Sequence, residues 1–428
     1  MDGARTPVAL AGAVSGILMF IVSLFLGRGD VAVMGAVLLV AVAVVWRRVP
    51  ERPPRVALTR LPAQPDDADG AAASPSATAR VRVEVDDADA EVVRLEITAL
   101  GQDVHRVAVG GRTSLEVRVP VVHSGIHDLT AVTGRSIGAD GVWLSRSSAS
   151  EGLRAATNPV ARSVPFLPVP RALAGMSGAH EATRAGDGGE FLEIRPFVAG
   201  DGLRRIDWKA TARVARRPGE LFVRRTYATS DAAIAIVIDD GDDLAGLTGD
   251  WFTADPGLDA PRSLDVAREA AWSLAGAYLD AGDQVSLHLL SRAGRTVPRG
   301  SGIRHRERLR AAIVAVEAGR RLTRERTPRV VPGALVVVLS TFLDDDMVTL
   351  VELWRAAGHR VLAVDTLPRL RTERLTPEMA AAARIVLGER ADRLRAVTSA
   401  GADVLVWDAA PGERAAALRG FARARRRR

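Results

Sequence analysis

The sequence predicts an α/β Rossmann-like domain that is preceded by an all-β sandwich and an N-terminal transmembrane helical hairpin. Two apolar runs open the chain, a stretch of alternating apolar and polar residues follows, and from about residue 229 apolar strands alternate with amphipathic helices. These patterns divide the chain into a hairpin (1–50), a linker rich in Pro, Ala and Asp (51–78), a sandwich (79–150), a connector (151–228) and an α/β domain with an Arg-rich tail (229–428).

The hairpin prediction depends on two apolar runs, Val8 to Leu26 and Val31 to Trp46, which are joined by a short polar turn. The first run is long enough to cross a bilayer, the second is a little short of the usual length, and arginines flank the pair on both outer sides. We therefore expect a multi-pass cell-membrane protein with two spans and cytoplasmic soluble domains. Gly12 and Gly16 form a small-residue face that would pack within the hairpin, join protomers into a homo-oligomer, or simply be tolerated in lipid.

The sandwich prediction rests on period-two alternation, as in Val81, Val83 and Val85 with Arg82 and Glu84 between them. Short runs of this kind, bounded by Gly, Asp or Ser, indicate antiparallel sheets with one solvated face each. We expect an immunoglobulin-like arrangement.

The α/β prediction rests on apolar strands that alternate with amphipathic helices, which indicates a parallel sheet covered on both faces. The predicted strands are 233–238, 284–290, 334–340, 360–365 and 403–407, and the predicted helices are 262–281, 303–318, 347–357, 389–400 and 411–423. Sites in such folds form at the carboxyl ends of the strands, which points to Asp239–Asp243, Ser340–Asp346 and Asp365–Thr366.

Composition excludes several kinds of chemistry. The chain has no cysteine and one lysine, Lys209, so 57 of its 58 basic residues are arginine, which a GC-rich genome explains. Disulfides, thiolate metal sites and cysteine nucleophiles are excluded, as is a Walker phosphate loop, because Ala210 follows the lysine. Five of the last six residues are arginine, so most of the net charge of +7 lies in this C-terminal tail. Because the rest of the chain is nearly neutral, we expect no nucleic-acid partner.

The most distinctive stretch is Gly189 to Arg225, which we call the signature segment. It carries nine basic and five acidic residues in close alternation around Trp208. Asp201 is predicted to cap a short helix from Gly202, with Leu203, Ile206 and Ala210 inward. The segment is a clasp rich in salt bridges, a docking surface for another protein, or both, since Arg and Trp are typical interface anchors. The candidate residues are Glu190, Arg195, Asp201, Arg205, Asp207, Trp208, Lys209 and Arg213.

The runs Gly189-Glu190-Phe191, Arg195-Pro196-Phe197, Gly200-Asp201 and Arg205 to Arg213 resemble the signature of the domain-of-unknown-function 58 family. The resemblance implies a transmembrane hairpin, a β-sandwich and a von Willebrand factor A-like α/β domain. It also implies a non-enzymatic adaptor that works with a MoxR-type AAA+ ATPase, and with client proteins, in chaperone-like assembly or maturation.

The same resemblance implies a metal-ion-dependent adhesion motif that binds Mg²⁺ and that is degenerate here. Asp239 matches its first position, Gly241 and Asp243 stand where serines are expected, and Thr341 stands where an aspartate is expected. Asp239 and Asp243 are the candidate ligands, because carboxylates suit a hard cation.

An enzymatic alternative is a Mg²⁺-dependent phosphatase-like hydrolase that uses Asp240 and Asp242 of the loop after the first α/β strand. Such chemistry also needs a cation beyond the second motif, normally a lysine, and no lysine follows Lys209. We therefore expect no catalytic residues.

Overall fold

The computed structural model describes residues 4–5, 7–46, 53–62, 77–87, 90–99, 103–138, 143–149, 152–170, 180–198, 201–230, 232–252, 260–291, 296–319, 327–373 and 375–424. They form two compact units. Unit 1 comprises residues 1–122 and 126–156, and unit 2 comprises residues 123–125 and 157–428.

Unit 1 begins with strand β1 (Ala4–Arg5) and two helices, α1 (Pro7–Leu26) and α2 (Gly29–Trp46), that pack against each other. Glycines allow the close approach: a Cβ on Gly16 would lie 3.2 Å from the carbonyl oxygen of Gly35, and one on Gly12 would lie 3.0 Å from a methyl of Val42. The Gly12 and Gly16 face is therefore used inside the hairpin, which was the first of the three interpretations.

The transmembrane assignment of this hairpin is wrong. A crossing needs about 20 predominantly apolar residues, because the hydrocarbon core is about 30 Å thick and a helix rises 1.5 Å per residue. Within the described residues, no helix combines the length and the apolar character that a membrane crossing requires. The prediction of a multi-pass cell-membrane protein with two spans is therefore wrong as well. Apolar side chains such as Leu24 and Phe25 are nevertheless exposed on the outer faces of the pair.

The rest of unit 1 is a sandwich of two antiparallel sheets. Its strands are β2 (Arg55–Arg60), β3 (Ala77–Asp86), β4 (Val92–Ala99), β5 (His105–Gly110), β6 (Arg112–Val121), β7 (Gly125–Ile137), β8 (Trp143–Leu144), β9 (Ser148–Ala149) and β10 (Leu153–Thr157). One sheet has the order β2-β3-β6, and the other has the order β1-β8-β7-β4-β5, with β9 and β10 also pairing with β7.

The sandwich core accounts for the alternation of apolar residues in the sequence and for one strand, β2, that was not predicted. Val83 and Val85 of β3 pack against Val93 and Leu95 of β4, so the alternating residues do face a common core. Strand β2 lies in the stretch predicted as linker, because its Val56 and Leu58 alternate in the same way and cover the edge of that core.

Unit 2 contains a two-stranded sheet, a six-stranded sheet and six helices among its described residues. Its elements are β11 (His180–Pro196), α3 (Trp208–Val214), β12 (Phe222–Ser230), β13 (Ala233–Ile238), α4 (Ser263–Asp280), β14 (Gln284–Leu289), β15 (Thr296–Gly300), α5 (Ile303–Val314), β16 (Leu335–Ser340), α6 (Asp345–Ala356), β17 (Arg360–Asp365), α7 (Pro377–Ser399), β18 (Asp403–Val406) and α8 (Pro411–Ala424). The large sheet has the order β15-β14-β13-β16-β17-β18 and is parallel except for its edge strand β15.

The central strands β13, β16 and β17 are buried at every position because helices cover both faces of the sheet. Ile236 of β13 joins the core that contains Leu274 of α4, whereas its neighbour Val237 joins the opposite core, which contains Trp354 of α6. The five predicted strands are observed, which places the ends of β13, β16 and β17 at one edge.

Residues 157–170 form an extended strap on the α/β core, within the stretch predicted as connector. Phe166 packs on that core, the buried hydroxyl of Tyr278 donates to the carbonyl of Pro168 at 2.6 Å, and Arg360 Nη1 donates to the carbonyl of Val169 at 2.9 Å. The strap is therefore part of the α/β unit.

A buried polar cluster in unit 2 surrounds Asp265, at the start of α4. Its carboxylate contacts His123 Nδ1 at 2.7 Å, and it accepts hydrogen bonds from the Ser124 amide at 2.8 Å and from Arg268 Nη1 at 3.1 Å. Burial would raise the pKa of Asp265, but the His123 hydrogen bond and the nearby charges outweigh it, so the pKa is lowered.

This lowered pKa predicts an acid dependence of stability. A carboxyl group whose folded-state pKa lies below its unfolded value stabilises the fold above the unfolded pKa, and that contribution is lost as the pH falls through the folded value. We expect the difference in unfolding free energy between wild type and Asp265→Asn to be full at pH 7 and to shrink below about pH 4. Urea unfolding of both proteins from pH 3 to 7 measures it, and a constant difference would contradict the assignment.

Candidate functional site

The signature segment is built on strands β11 and β12, which pair antiparallel with Arg195 opposite Val223 and Pro196 opposite Phe222. Between the strands the chain forms a short 3-10 turn, Leu203–Arg205, and then α3. Ile206 bridges to Val223, so the turn is held against the strand pair.

Two of the predicted residues, Arg195 and Asp201, hold this segment together. Arg195 Nη2 pairs with Asp201 Oδ1 at 2.6 Å, and the other carboxylate oxygen of Asp201 accepts the amide of Val198 at 2.9 Å. Asp201 therefore closes the loop after β11 and does not cap a helix, so the prediction of a helix starting at Gly202 is wrong.

Asp207 is the helix cap. Its Oδ1 accepts the amide of Ala210 at 2.9 Å, and its own amide donates to the carbonyl of Phe222 at 2.9 Å. Thr211 Oγ1 accepts the amide of Phe222 at 3.0 Å, which ties α3 to β12 from a second position. Asp207 therefore has a structural role in positioning α3.

The remaining predicted residues of the turn and helix point to solvent. Trp208 is 67% exposed, and Leu203, which was predicted to face inward, is 71% exposed. Basic side chains are exposed beside them: Arg204, Arg205, Lys209 and Arg213. We call Leu203, Arg204, Trp208, Lys209 and Arg213 the exposed face. Glu190 lies in β11, and its side chain is outside the described residues.

A second candidate is the acidic edge, where strands β13, β16 and β17 end. Asp239 is buried, and its Oδ2 accepts a hydrogen bond from Ser340 Oγ at 2.6 Å. Asp240 is fully buried and accepts both the amide and the hydroxyl of Ser291. Asp242 accepts Thr341 Oγ1 at 3.2 Å.

Arginines pair with the other two carboxylates of the acidic edge. Arg262 Nε lies 2.9 Å from Asp243 Oδ2, and Arg390 Nη2 forms an ion pair with Asp365 Oδ1. Burial raises the pKa of Asp243, and Arg262 opposes this shift. Burial likewise raises the pKa of Asp365, against the opposing charge of Arg390.

These residues do not fit the Mg²⁺ site that the resemblance implies. The two candidate ligands are turned to different partners, Asp239 to Ser340 and Asp243 to Arg262, and a guanidinium lies beside Asp365. Within the described residues, no group of three or more His, Asp or Glu side chains is arranged to hold a metal ion.

Sequence reasoning missed Ser291, Arg262 and Arg390 at this edge. Ser291 follows the next parallel strand, β14, so its position at a strand end was a usable signal. Arg390 lies in the interior of α7, and no local pattern distinguishes it from the other arginines of that helix.

Comparison with known proteins places the signature segment in a family. Residues 193–379, which contain α3, the exposed face and strands β13 to β17, match the family described as "Protein of unknown function DUF58". This part of the chain matches DUF58. No curated protein and no solved structure matches the chain.

The DUF58 match confirms the resemblance drawn from the signature. It includes seven of the eight signature residues, all but Glu190, together with both candidate metal ligands. The association with a MoxR-type ATPase and the von Willebrand factor A-like character of the α/β unit stay predictions.

Proposed function

We propose that this DUF58 protein is a non-enzymatic adaptor that binds a MoxR-type AAA+ ATPase through its exposed face and works with it in the assembly or maturation of client proteins. The observation that carries the proposal is Trp208, a large aromatic residue that is 67% exposed on a helix that Asp207 caps and Thr211 ties to β12. Exposed Trp and Arg side chains are the residue types that dominate binding energy in interfaces.

The bracing of α3 favours binding. The Asp207 cap and the Thr211 hydrogen bond hold the helix against β12 before any partner arrives. A surface that is already ordered loses less conformational entropy on binding, so more of the contact energy appears as affinity.

Charge indicates what kind of partner surface fits. Three of the five acids of the segment contact groups of their own chain: Asp201 pairs with Arg195, Asp207 accepts the Ala210 amide, and Glu220 accepts the Arg216 amide. The exposed side chains of α3 include Lys209 and Arg213, which lie one turn apart on the same side of the helix. The partner surface we expect is therefore acidic, with an apolar pocket for Trp208.

Trp208→Ala is expected to weaken binding of the ATPase by about 30-fold or more, since central Trp anchors contribute 2 kcal/mol or more. Affinity of the purified full chain for a purified MoxR-type ATPase measures this. Ile303→Ala is the matched control, because Ile303 is 81% exposed at the start of α5 and lies away from the exposed face in sequence.

Asp207→Ala separates docking from simple bracing. Loss of the cap is expected to loosen α3 at a cost of about 1 kcal/mol, while the Trp208 side chain itself is kept. If Trp208→Ala binds the ATPase as wild type does while remaining folded, the segment is only a clasp and the docking proposal fails.

The phosphatase-like alternative has no observation in its favour. Asp240, its proposed nucleophile, is fully buried and accepts hydrogen bonds from both the amide and the hydroxyl of Ser291. We therefore propose the adaptor role alone.

A further inference from the structure

We infer that the acidic edge of the α/β unit is closed by arginines of the chain itself and takes no divalent cation, with Arg390 as the fixed counter-ion of Asp365. The inference disagrees with the Mg²⁺ motif that the family resemblance implies. It is independent of the exposed face, because it involves none of the residues of that face.

Arg390 joins the ends of two neighbouring strands. Its Nη2 pairs with Asp365 at the end of β17, while its Nε donates to the carbonyl of Thr341, directly after β16, at 2.7 Å. Its side chain is 12% exposed and that of Asp365 is 7% exposed, so the pair is removed from water. A guanidinium can hold both groups at once because its donors are fixed in a planar fork.

The turn after β16, whose Thr341 carbonyl accepts the hydrogen bond of Arg390, has a fixed backbone conformation. Ser340 Oγ donates to Asp239 and accepts the amide of Phe342 at 3.0 Å. Phe342 has a φ of 54°, a left-handed conformation that is uncommon for a residue other than glycine. The turn that carries Thr341 is therefore held in one arrangement, with Asp239 as part of that arrangement.

The loop after β13 covers the same edge. Ala245 bridges to Arg262 and Leu247 bridges to Arg371, and Thr248 in that loop is fully buried. Arg262, which pairs with Asp243, is thus also held by its backbone. Both arginines are placed by the fold, so each already supplies the positive charge that a bound cation would otherwise supply.

Thermal unfolding of the full chain with divalent metals alone tests the inference. Wild type is expected to show the same Tm, within about 1 °C, in EDTA and in millimolar Mg²⁺, Mn²⁺ or Ca²⁺. Arg390→Met is expected to lower the Tm by roughly 5–15 °C, because it leaves a buried carboxylate without its partner. Arg390→Lys is expected to recover only part of this loss, since an ammonium cannot reproduce the fork.

Arg393→Met is the matched control. Arg393 lies one turn further along α7 and pairs with Asp345, whose side chain is 84% exposed, so its loss is expected to change the Tm by about 2 °C or less. Saturable Mg²⁺ binding that is lost in Asp239→Asn would overturn the inference. So would an Arg390→Met protein with the Tm of wild type. A rise in wild-type Tm with Mg²⁺ that Asp239→Asn abolishes would show that the cation, and not the arginine, closes the edge.

Discussion

Arg268→Met is expected to lower the free energy of unfolding of unit 2 by about 3–5 kcal/mol. The guanidinium of Arg268 is buried and donates from Nε and Nη2 to the carbonyl of Val316, at 3.2 and 2.7 Å, and from Nη1 to the carbonyl of Ser124 at 2.9 Å. It also pairs with Asp265. Methionine fills much of the same volume but leaves two carbonyls and part of a carboxylate unsatisfied.

Urea unfolding at pH 7 measures this loss. Arg268→Lys serves as the control for charge, because it keeps the cation but offers one nitrogen in place of three. If Arg268→Lys were as stable as wild type, net charge and not hydrogen-bond geometry would explain the contribution of Arg268. Gly125 gives a second check: its φ is 104°, and a Cβ there would lie 3.0 Å from Cζ of Arg268, so Gly125→Ala is expected to disturb the same cluster.

Trp407→Ala is expected to destabilise the α/β unit by a similar amount, about 3–5 kcal/mol. Trp407 follows β18, is fully buried and packs in the core with Leu418 of α8. Its indole Nε1 donates to Glu269 Oε1 at 2.7 Å, and the guanidinium of Arg414 lies 5.1 Å from its ring centroid. The substitution therefore removes packing, a hydrogen bond and a cation–π contact together.

Trp407→Phe divides these contributions. It keeps most of the ring packing and removes the indole donor, so we expect it to cost about 1–2 kcal/mol, well below the loss for alanine. Equal losses in the two variants, measured by urea unfolding, would contradict a packing contribution from the ring.

The sequence was most informative about the parallel sheet. Strands β13 and β17 are observed with the bounds that their apolar runs predicted, and α8 extends to Ala424 where 423 was expected. Buried strands are continuous apolar runs, and the polar residues that end them are visible in the sequence. Edge strand β15 was missed because its residues are mostly solvated and carry no such run.

Helix α7 shows why helix starts were harder to predict. It begins at Pro377, twelve residues before the predicted start at 389, and Thr376 caps it by accepting the Met379 amide at 3.3 Å. The cap and the proline at the first position were present in the sequence, but an alanine-rich first half has no clear apolar stripe.

The candidate sites were predicted by residue but not by role. Charge density singled out the signature segment, yet it could not show that Asp207 caps α3, that Asp201 closes a loop or that Leu203 is exposed. At the acidic edge, the strand ends predicted the carboxylates, whereas Arg390 lies in α7, 25 residues beyond its partner Asp365. Long-range partners of this kind depend on how the helix packs, which local pattern does not encode.

The exposure of Lys209 allows the chain to be labelled chemically at a single side chain. It carries the only side-chain amine in the sequence, and there is no thiol to compete for electrophiles. An amine-directed acylating reagent therefore has one side-chain target, in the middle of the exposed face, and a lysine-specific protease has one cleavage site. Protection of that single position when the ATPase is added would report occupancy of the face directly, in the unmodified protein and without any substitution.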